Sequence, residues 1–182
     1  MVFAARCEAK ELFVVQSGRI AIANRSSDGR ESVVALMESG DLFGEMSLFD
    51  GEGRSAEARA LEPSEIVAVP YALLREILLD RPELLWEVAA LLARRLRSTD
   101  AALADAVFLD VTGRTAKRLL ELANGADDFL LPLTQEELAA MVGASRERVN
   151  KAISAFVRLG WLTQSDRRYA ITNREQLERR AR

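Results

Sequence analysis

The sequence predicts an α+β chain in three parts: a roll of short strands, one long helix, and a helical module that ends in a hairpin. Three observations carry this. Short strand-like runs separated by turn residues fill positions 12–70. An uninterrupted apolar helical pattern then runs from about residue 81 to 109. The charge changes sign along the chain: residues 1–109 hold 12 Lys/Arg against 18 Asp/Glu, and residues 110–182 hold 13 against 10.

The strand region is punctuated at regular intervals. Leu12-Phe13-Val14-Val15 and Arg19-Ile20-Ala21-Ile22 are split by Ser17-Gly18. Ser27-Asp28-Gly29-Arg30 is a hairpin signal, and Ser32 to Leu36 is the next strand. Ser39-Gly40-Asp41 turns again, and Glu65 to Pro70 closes the region. Strands this short and evenly spaced suit a roll or barrel. Residues 71–79 read as a short amphipathic helix. Arg81-Pro82-Glu83 opens the long helix, with proline in the first turn where its missing N–H costs least. Leu85, Ala89, Leu92, Leu96, Leu103 and Ala106, with Thr99 filling a gap, recur in steps that describe a coiled-coil seam. This predicts a homodimer; a helix packed on its own domain is the other reading. Arg94, Arg95 and Arg97 are placed on the polar face.

Asp110-Val111-Thr112-Gly113 interrupts the helical pattern and is the best boundary, so the predicted parts are 1–80, 81–109 and 110–182. Helix resumes to Ala123, and 124–128 reads as a loop. Thr134 with Glu137 three residues on fits a capping box that opens a helix from Gln135 to Met141. Ala144-Ser145 caps a second helix to about Leu159. Small Ala139, turn-forming Gly143 and apolar Val149 have the spacing that two crossed helices need, a helix-turn-helix. The second helix carries Ser145, Arg146, Glu147, Asn150 and Lys151 on its outer face, side chains suited to base edges and phosphates. Trp161-Leu162 and Tyr169 to Ile171 flank Asp166-Arg167-Arg168, a hairpin wing with two candidate phosphate contacts. The C-terminal part is therefore a predicted winged helix-turn-helix, with double-stranded DNA as its partner; a solvated hairpin is the other reading of the wing.

Composition removes other chemistry. The chain has no histidine and a single cysteine, Cys7, so a His-ligated metal site, a Ser-His or Cys-His catalytic pair, and an intrachain disulfide are all excluded. No metal site and no enzyme activity are expected. No signal peptide or membrane span is legible, and a cytoplasmic protein is expected.

The β region holds one further cassette. Gly44-Glu45-Met46-Ser47 leads to Arg54-Ser55-Ala56. A glycine before a short helix offers backbone N–H groups to an anion. Arg54 can pair with a phosphate and Glu45 can accept from a ribose hydroxyl. A structural Glu45–Arg54 ion pair fits the same residues.

This cassette resembles the phosphate-binding cassette of the cAMP receptor protein branch of the CRP/FNR family. Phe108 to Arg114 resembles that family's hinge, and Thr134 to Glu137 with Val142 to Val149 resembles its DNA-reading element. The style is most similar to actinobacterial members. The resemblance implies a β-roll of the cyclic-nucleotide-binding type, starting at Met1-Val2-Phe3 without the usual N-terminal portion of the roll. It implies that Glu45 holds the ribose 2′-OH, and that Arg54 and Ser55, with the Gly44, Met46 and Ser47 segment, hold the cyclic phosphate. Thr99 would contact adenine, and Asp100, where the family commonly has serine or asparagine, would accept from the adenine amino group. Arg146, Glu147 and Lys151 would read a palindromic TGTGA-like site; Thr134, Gln135, Ser145, Asn150, Arg167 and Arg168 are the further candidate DNA-binding residues. Asp110, Val111, Thr112 and Gly113 would form the hinge. The implied function is a dimeric DNA-binding transcription regulator controlled by cAMP, with RNA polymerase as a further partner. A regulator that is ligand-independent, or answers to another small effector, is the alternative.

Overall fold

The structure, a computed structural model, describes residues 1–182. It forms two compact units, Met1–Thr99 and Asp100–Arg182.

In the first unit, six strands make two three-stranded antiparallel sheets. The strands are β1 (Glu11–Ser17), β2 (Ile20–Arg25), β3 (Glu31–Met37), β4 (Leu42–Phe43), β5 (Glu57–Ala60) and β6 (Glu65–Pro70). One sheet has the order β4-β1-β6 and the other β3-β2-β5. Alternation along β1 sends Phe13 and Val15 inward. They meet Ile20, Met37, Phe43 and Ala58 in one apolar cluster. Phe13 stands opposite Phe43 in the register, and their rings stack at 5.3 Å. Phe3 bridges to Ala58 and lies 5.7 Å from the Phe13 ring. A short helix α1 (Met46–Asp50) follows β4, and α2 (Tyr71–Asp80) follows β6. Tyr71 is buried with Leu12 and Leu48.

The strands expected at 12–15, 19–22, 32–36 and 65–70 are all present. β4 and β5 are additions. β4 is only two residues long, too short to show a period. β5 reads Glu-Ala-Arg-Ala, poor strand formers that are strands because β2 pairs with them from Ile20↔Ala60 to Ala23↔Glu57.

The long helix α3 is Leu84–Phe108. It starts three residues later than Arg81, because the amides of Leu84, Leu85 and Trp86 bond to carbonyls three residues back in a tight lead-in turn. No residue of α3 is buried. Leu85, Leu96 and Leu103 of the expected seam are exposed, as are Trp86 at 79% and Phe108 at 82%. An apolar stripe of this length has no partner within the chain.

The second unit contains α4 (Val111–Ala123), β7 (Asp128–Leu130), α5 (Gln135–Val142), α6 (Arg146–Arg158), β8 (Leu162–Ser165), β9 (Arg168–Ile171) and α7 (Arg174–Arg180). Its sheet has the order β7-β9-β8. Leu119, Leu138, Val149, Phe156, Leu162, Tyr169 and Leu177 are almost fully buried. The Phe129–Tyr169 and Phe156–Trp161 rings stack at 5.8 Å. β7 and α7 went unread in the sequence: β7 follows directly on the turn residues, and α7 is a single short helix whose signals are its Asn173 cap and a Glu175–Arg179 pair.

Candidate functional site

The cassette of the first unit lies between β4 and β5. Gly44 has φ of +80°, a left-handed conformation that a side chain strains. A Cβ there would also stand 2.5 Å from the Arg54 guanidinium. Glycine at 44 therefore serves both the turn and the close approach of Arg54.

Arg54 is 5% exposed. Its Nη1 donates to the Gly44 carbonyl at 2.8 Å and to the Tyr71 hydroxyl at 3.3 Å, and its Nη2 donates to the Glu11 carbonyl at 2.7 Å. The guanidinium lies 4.2 Å above the Phe3 ring. Its Nε is buried without a partner. Tyr71 also donates to the Gly44 carbonyl. Burying a charge is tolerated when hydrogen bonds replace its water, and three oxygens do so here.

Glu45 is 3% exposed, and its partner is Arg95 of α3. This corrects the expected alternative of a Glu45–Arg54 pair: Arg54 spends its donors on carbonyl oxygens, and the carboxylate is met from the helix instead. Arg95 also donates to the Leu42 carbonyl. The sequence pattern alone places Arg95 on the polar face with Arg94 and Arg97. The signal that could have singled it out is its place four residues before Thr99, one turn away on the same helix face. Thr99, exposed, donates to the Arg95 carbonyl at 3.0 Å. Asp100 and Met46 are exposed, and Ser47 is buried in the first turn of α1. Ser55 is exposed and its hydroxyl lies 3.6 Å from the Met46 sulfur. The structure thus brings Gly44, buried Glu45 and Arg54, and half-buried Arg95 into one polar cluster around β4 and the start of α1.

In the second unit the expected caps are present. Thr134 accepts from the Glu137 amide at 3.2 Å while Glu137 accepts from the Thr134 amide at 2.7 Å. Gly143 closes α5 at φ of +68°, and Ser145 caps α6 through the Arg148 amide. Ala139 and Val149 are buried where α5 and α6 cross. Arg146, Glu147 and Lys151 are exposed on α6, and Asn150 is half-buried. Lys151 pairs with Glu147 at 2.8 Å, and its hydrogen bond and charge hold the Glu147 carboxyl below its usual range.

Three of the further DNA-binding candidates are engaged within the chain. The Gln135 amide donates to the Tyr169 hydroxyl at 2.6 Å, and its Oε1 is buried without a partner. Burial pushes the Tyr169 phenol up, against the lowering effect of that Gln135 bond. Arg167 donates to the Leu131 carbonyl at 3.2 Å, and Arg168 lies in β9, paired with Asp128 at 2.8 Å. The tip of the wing is Asp166, at φ of +54°.

At the expected hinge, the helical break is confined to Leu109 and Asp110. Val111, Thr112 and Gly113, expected to interrupt the chain, already form the first turn of α4. The physical reason is the cap: Asp110 accepts from the Gly113 amide at 2.8 Å, so α4 begins at once. That N–H, with Arg180 beside it, holds the Asp110 carboxyl below its usual range against the opposing effect of burial. A lowered folded-state value adds stability that is present above the unfolded value of about 3.9 and is lost as pH falls through the folded one. Asparagine caps helices about as well without the charge. Asp110→Asn is therefore expected to be less stable than the parent at pH 7, with the gap closing in acid. Urea melts at a series of pH values check this, and a gap that persists below the carboxylate range contradicts it.

Comparison with known proteins agrees with both units. Residues 1–81 match the cyclic nucleotide-binding domain and residues 113–180 the Crp-like helix-turn-helix domain. The chain is 42% identical over a 188-residue alignment to a CRP-like cAMP-activated global transcriptional regulator of Mycobacterium tuberculosis, covering 100% of this chain and 84% of that protein. It is 37% identical to the cAMP-activated global transcriptional regulator Vfr of Pseudomonas aeruginosa, over 85% of this chain and 76% of that one. The solved structure of FixK2 from Bradyrhizobium japonicum superposes with a TM-score of 0.88 at 22% identity, covering 98% of this chain and 90% of that one, a likeness of fold. With a cyclic nucleotide-binding domain ahead of a Crp-like helix-turn-helix, the chain belongs to the CRP-like family of transcription regulators.

Proposed function

We propose that the protein is a homodimeric DNA-binding transcription regulator switched by a cyclic nucleotide, with cAMP as the ligand. The observation that carries this reading is the ion pair between buried Glu45 and half-buried Arg95, which ties the cassette to the long helix. A ligand that competes for either partner changes how the cassette holds that helix. Glu45, with Arg95 beside it, would take the ribose 2′-OH. Arg54 and Ser55 would take the cyclic phosphate together with backbone N–H groups at Gly44, Met46 and Ser47. Thr99 and Asp100 would face the adenine. In this structure Glu45 and both terminal nitrogens of Arg54 already have internal partners, so binding is an exchange of partners and its net affinity is the difference between two sets of bonds.

The exposed Leu85, Leu96 and Leu103 stripe of α3 supplies the dimer seam. A two-fold dimer presents two α6 helices to successive major grooves, and that favours a palindromic, TGTGA-like site. The working division is a β-roll over 1–80, a dimerisation helix over 81–109 and a winged helix-turn-helix over 110–182, with Asp110 to Gly113 as the joint. Thr134, Ser145, Asn150, Arg167 and Arg168 remain candidates for DNA binding; of the two wing arginines, each must first release its intramolecular partner. RNA polymerase is the further partner for activation. The protein works in the cytoplasm, and no enzyme activity is assigned to it.

Arg146, exposed on the first turn of α6, is the candidate for guanine O6 and N7. Arg146→Ala is expected to relax specificity at one base pair, by about 1–3 kcal/mol. Competition with singly substituted duplexes checks this, and uniform weakening across all sequences makes Arg146 a phosphate contact instead.

One observation favours a second reading. Arg54 and Glu45 already have protein partners, so the two charges are compensated without a ligand, as a ligand-independent regulator requires. Anisotropy of a labelled TGTGA-type palindrome, titrated at fixed salt with and without cAMP, separates the two. Tighter binding with cAMP supports the switch. Equal binding favours the ligand-independent reading or another effector.

A further inference from the structure

The end of the chain returns to the joint between α3 and α4. Arg180, the last residue of α7, lies 70 positions from Asp110, and its Nη2 donates to both carboxylate oxygens, at 2.5 Å to Oδ1. Leu177, fully buried, anchors α7 in the second unit. Asp110 is at the same time the cap of α4, so a single carboxylate joins the linker, the first turn of α4 and the C-terminal helix.

Gly113 fits this arrangement. It is buried in the first turn of α4 and is not among the glycines of positive φ. Its value is closeness, since a Cβ there would lie 3.0 Å from the Arg180 carbonyl and 3.1 Å from its guanidinium. Two other residues brace the same joint. Lys117 of α4 pairs with Asp105 of α3 at 2.6 Å. Arg114 donates to the Leu109 carbonyl at 2.7 Å and to the Val142 carbonyl, at the end of α5, at 2.8 Å. The linker is thus fastened on one side to the turn of the helix-turn-helix and on the other to α7.

We infer that α7 is a strut and that Arg180 is a positioning residue for DNA recognition, fixing the angle at which α4 leaves α3 without touching DNA. The inference rests on the regulator reading above. In a dimer whose two recognition helices must meet two half-sites together, a joint that wanders costs affinity on the whole site, while each recognition helix keeps its own fit to a half-site. Fixing the joint is what makes binding of the second half-site follow from the first.

The test uses the full chain, its Arg180→Ala and Arg180→Lys variants, and two duplexes, a palindrome and a single half-site, titrated by anisotropy at fixed salt with cAMP present. Arg180→Ala is expected to leave half-site affinity within about twofold, as surface changes do, and to weaken palindrome binding by about fivefold or more, the scale of ordinary coupling between sites. Arg180→Lys, which keeps the charge, is expected to fall between. Equal loss on both duplexes assigns Arg180 to general stability, and unchanged palindrome affinity removes the strut; either result overturns the inference. If Arg180→Ala does not fold, Arg180→Lys is judged by the same ratio. A wild-type protein that does not prefer the palindrome to the half-site overturns the regulator reading itself, and the inference with it.

Discussion

Arg54→Leu is expected to abolish the response of DNA binding to cAMP, so that titrations with and without the nucleotide superimpose. The arginine is the one buried cation of the cassette, held among the Gly44 and Glu11 carbonyls and the Tyr71 hydroxyl. A charge-assisted bond to a phosphate contributes about 1.5–3 kcal/mol; Arg54 gives up carbonyl bonds to make it, so the net loss expected is about tenfold or more of affinity. The leucine also takes the side-chain donor from the part-buried Glu11 carbonyl, at about 1–3 kcal/mol in stability, while the Gly44 carbonyl keeps its bond from the Tyr71 hydroxyl. Stability therefore needs its own measurement, and Arg54→Lys is the companion: it keeps the charge while losing the fork that reaches several oxygens. Direct calorimetry with cAMP reads the loss. An Arg54→Leu protein that is folded and still responds normally removes Arg54 from the ligand site.

The second large effect is expected at Arg95. Truncating it to leucine leaves the Glu45 carboxylate, 3% exposed, without its cation. Breaking a buried ion pair from one side costs about 3–5 kcal/mol, because the remaining charge is uncompensated. The Arg95 side chain is 30% exposed, so water can reach part of the site and the low end of that range applies. Glu45→Gln in the Arg95→Leu background removes the stranded charge and is expected to recover much of the loss, a coupling that a double-mutant cycle in urea reads directly. A single-mutant cost no larger than the half kilocalorie or so of an ordinary surface change contradicts the buried pair.

Much of the architecture was written in local patterns. Gly18, Asp28-Gly29 and Gly40 mark turns through residues that accept a positive φ, and each of the three glycines adopts one. The Thr134–Glu137 box, Gly143 and Ser145 fix the helix-turn-helix by backbone bonding within a few residues. The missing histidines and the single cysteine removed whole classes of chemistry. The repeating Leu85, Leu96, Leu103 stripe announced a helix face that the rest of the chain leaves uncovered.

What the sequence left open depends on partners far apart in the chain. Glu45 and Arg54 sit close in sequence with opposite charges, and nothing local says that they do not pair. The answer came from Arg95, 50 positions on, and from carbonyls on β1 and at Gly44. β5 has the composition of a loop and is a strand because β2 offers it a register. Gly113 reads as a break and is a helical residue, because the first turn it occupies is capped by Asp110 and closely approached by Arg180 from the far end of the chain. The sequence by itself determined most of the elements, those whose turns, caps and periods act within a few residues. Only the tertiary structure decided which charges meet, because a buried charge selects its partner by distance in space after the sheets and helices have packed.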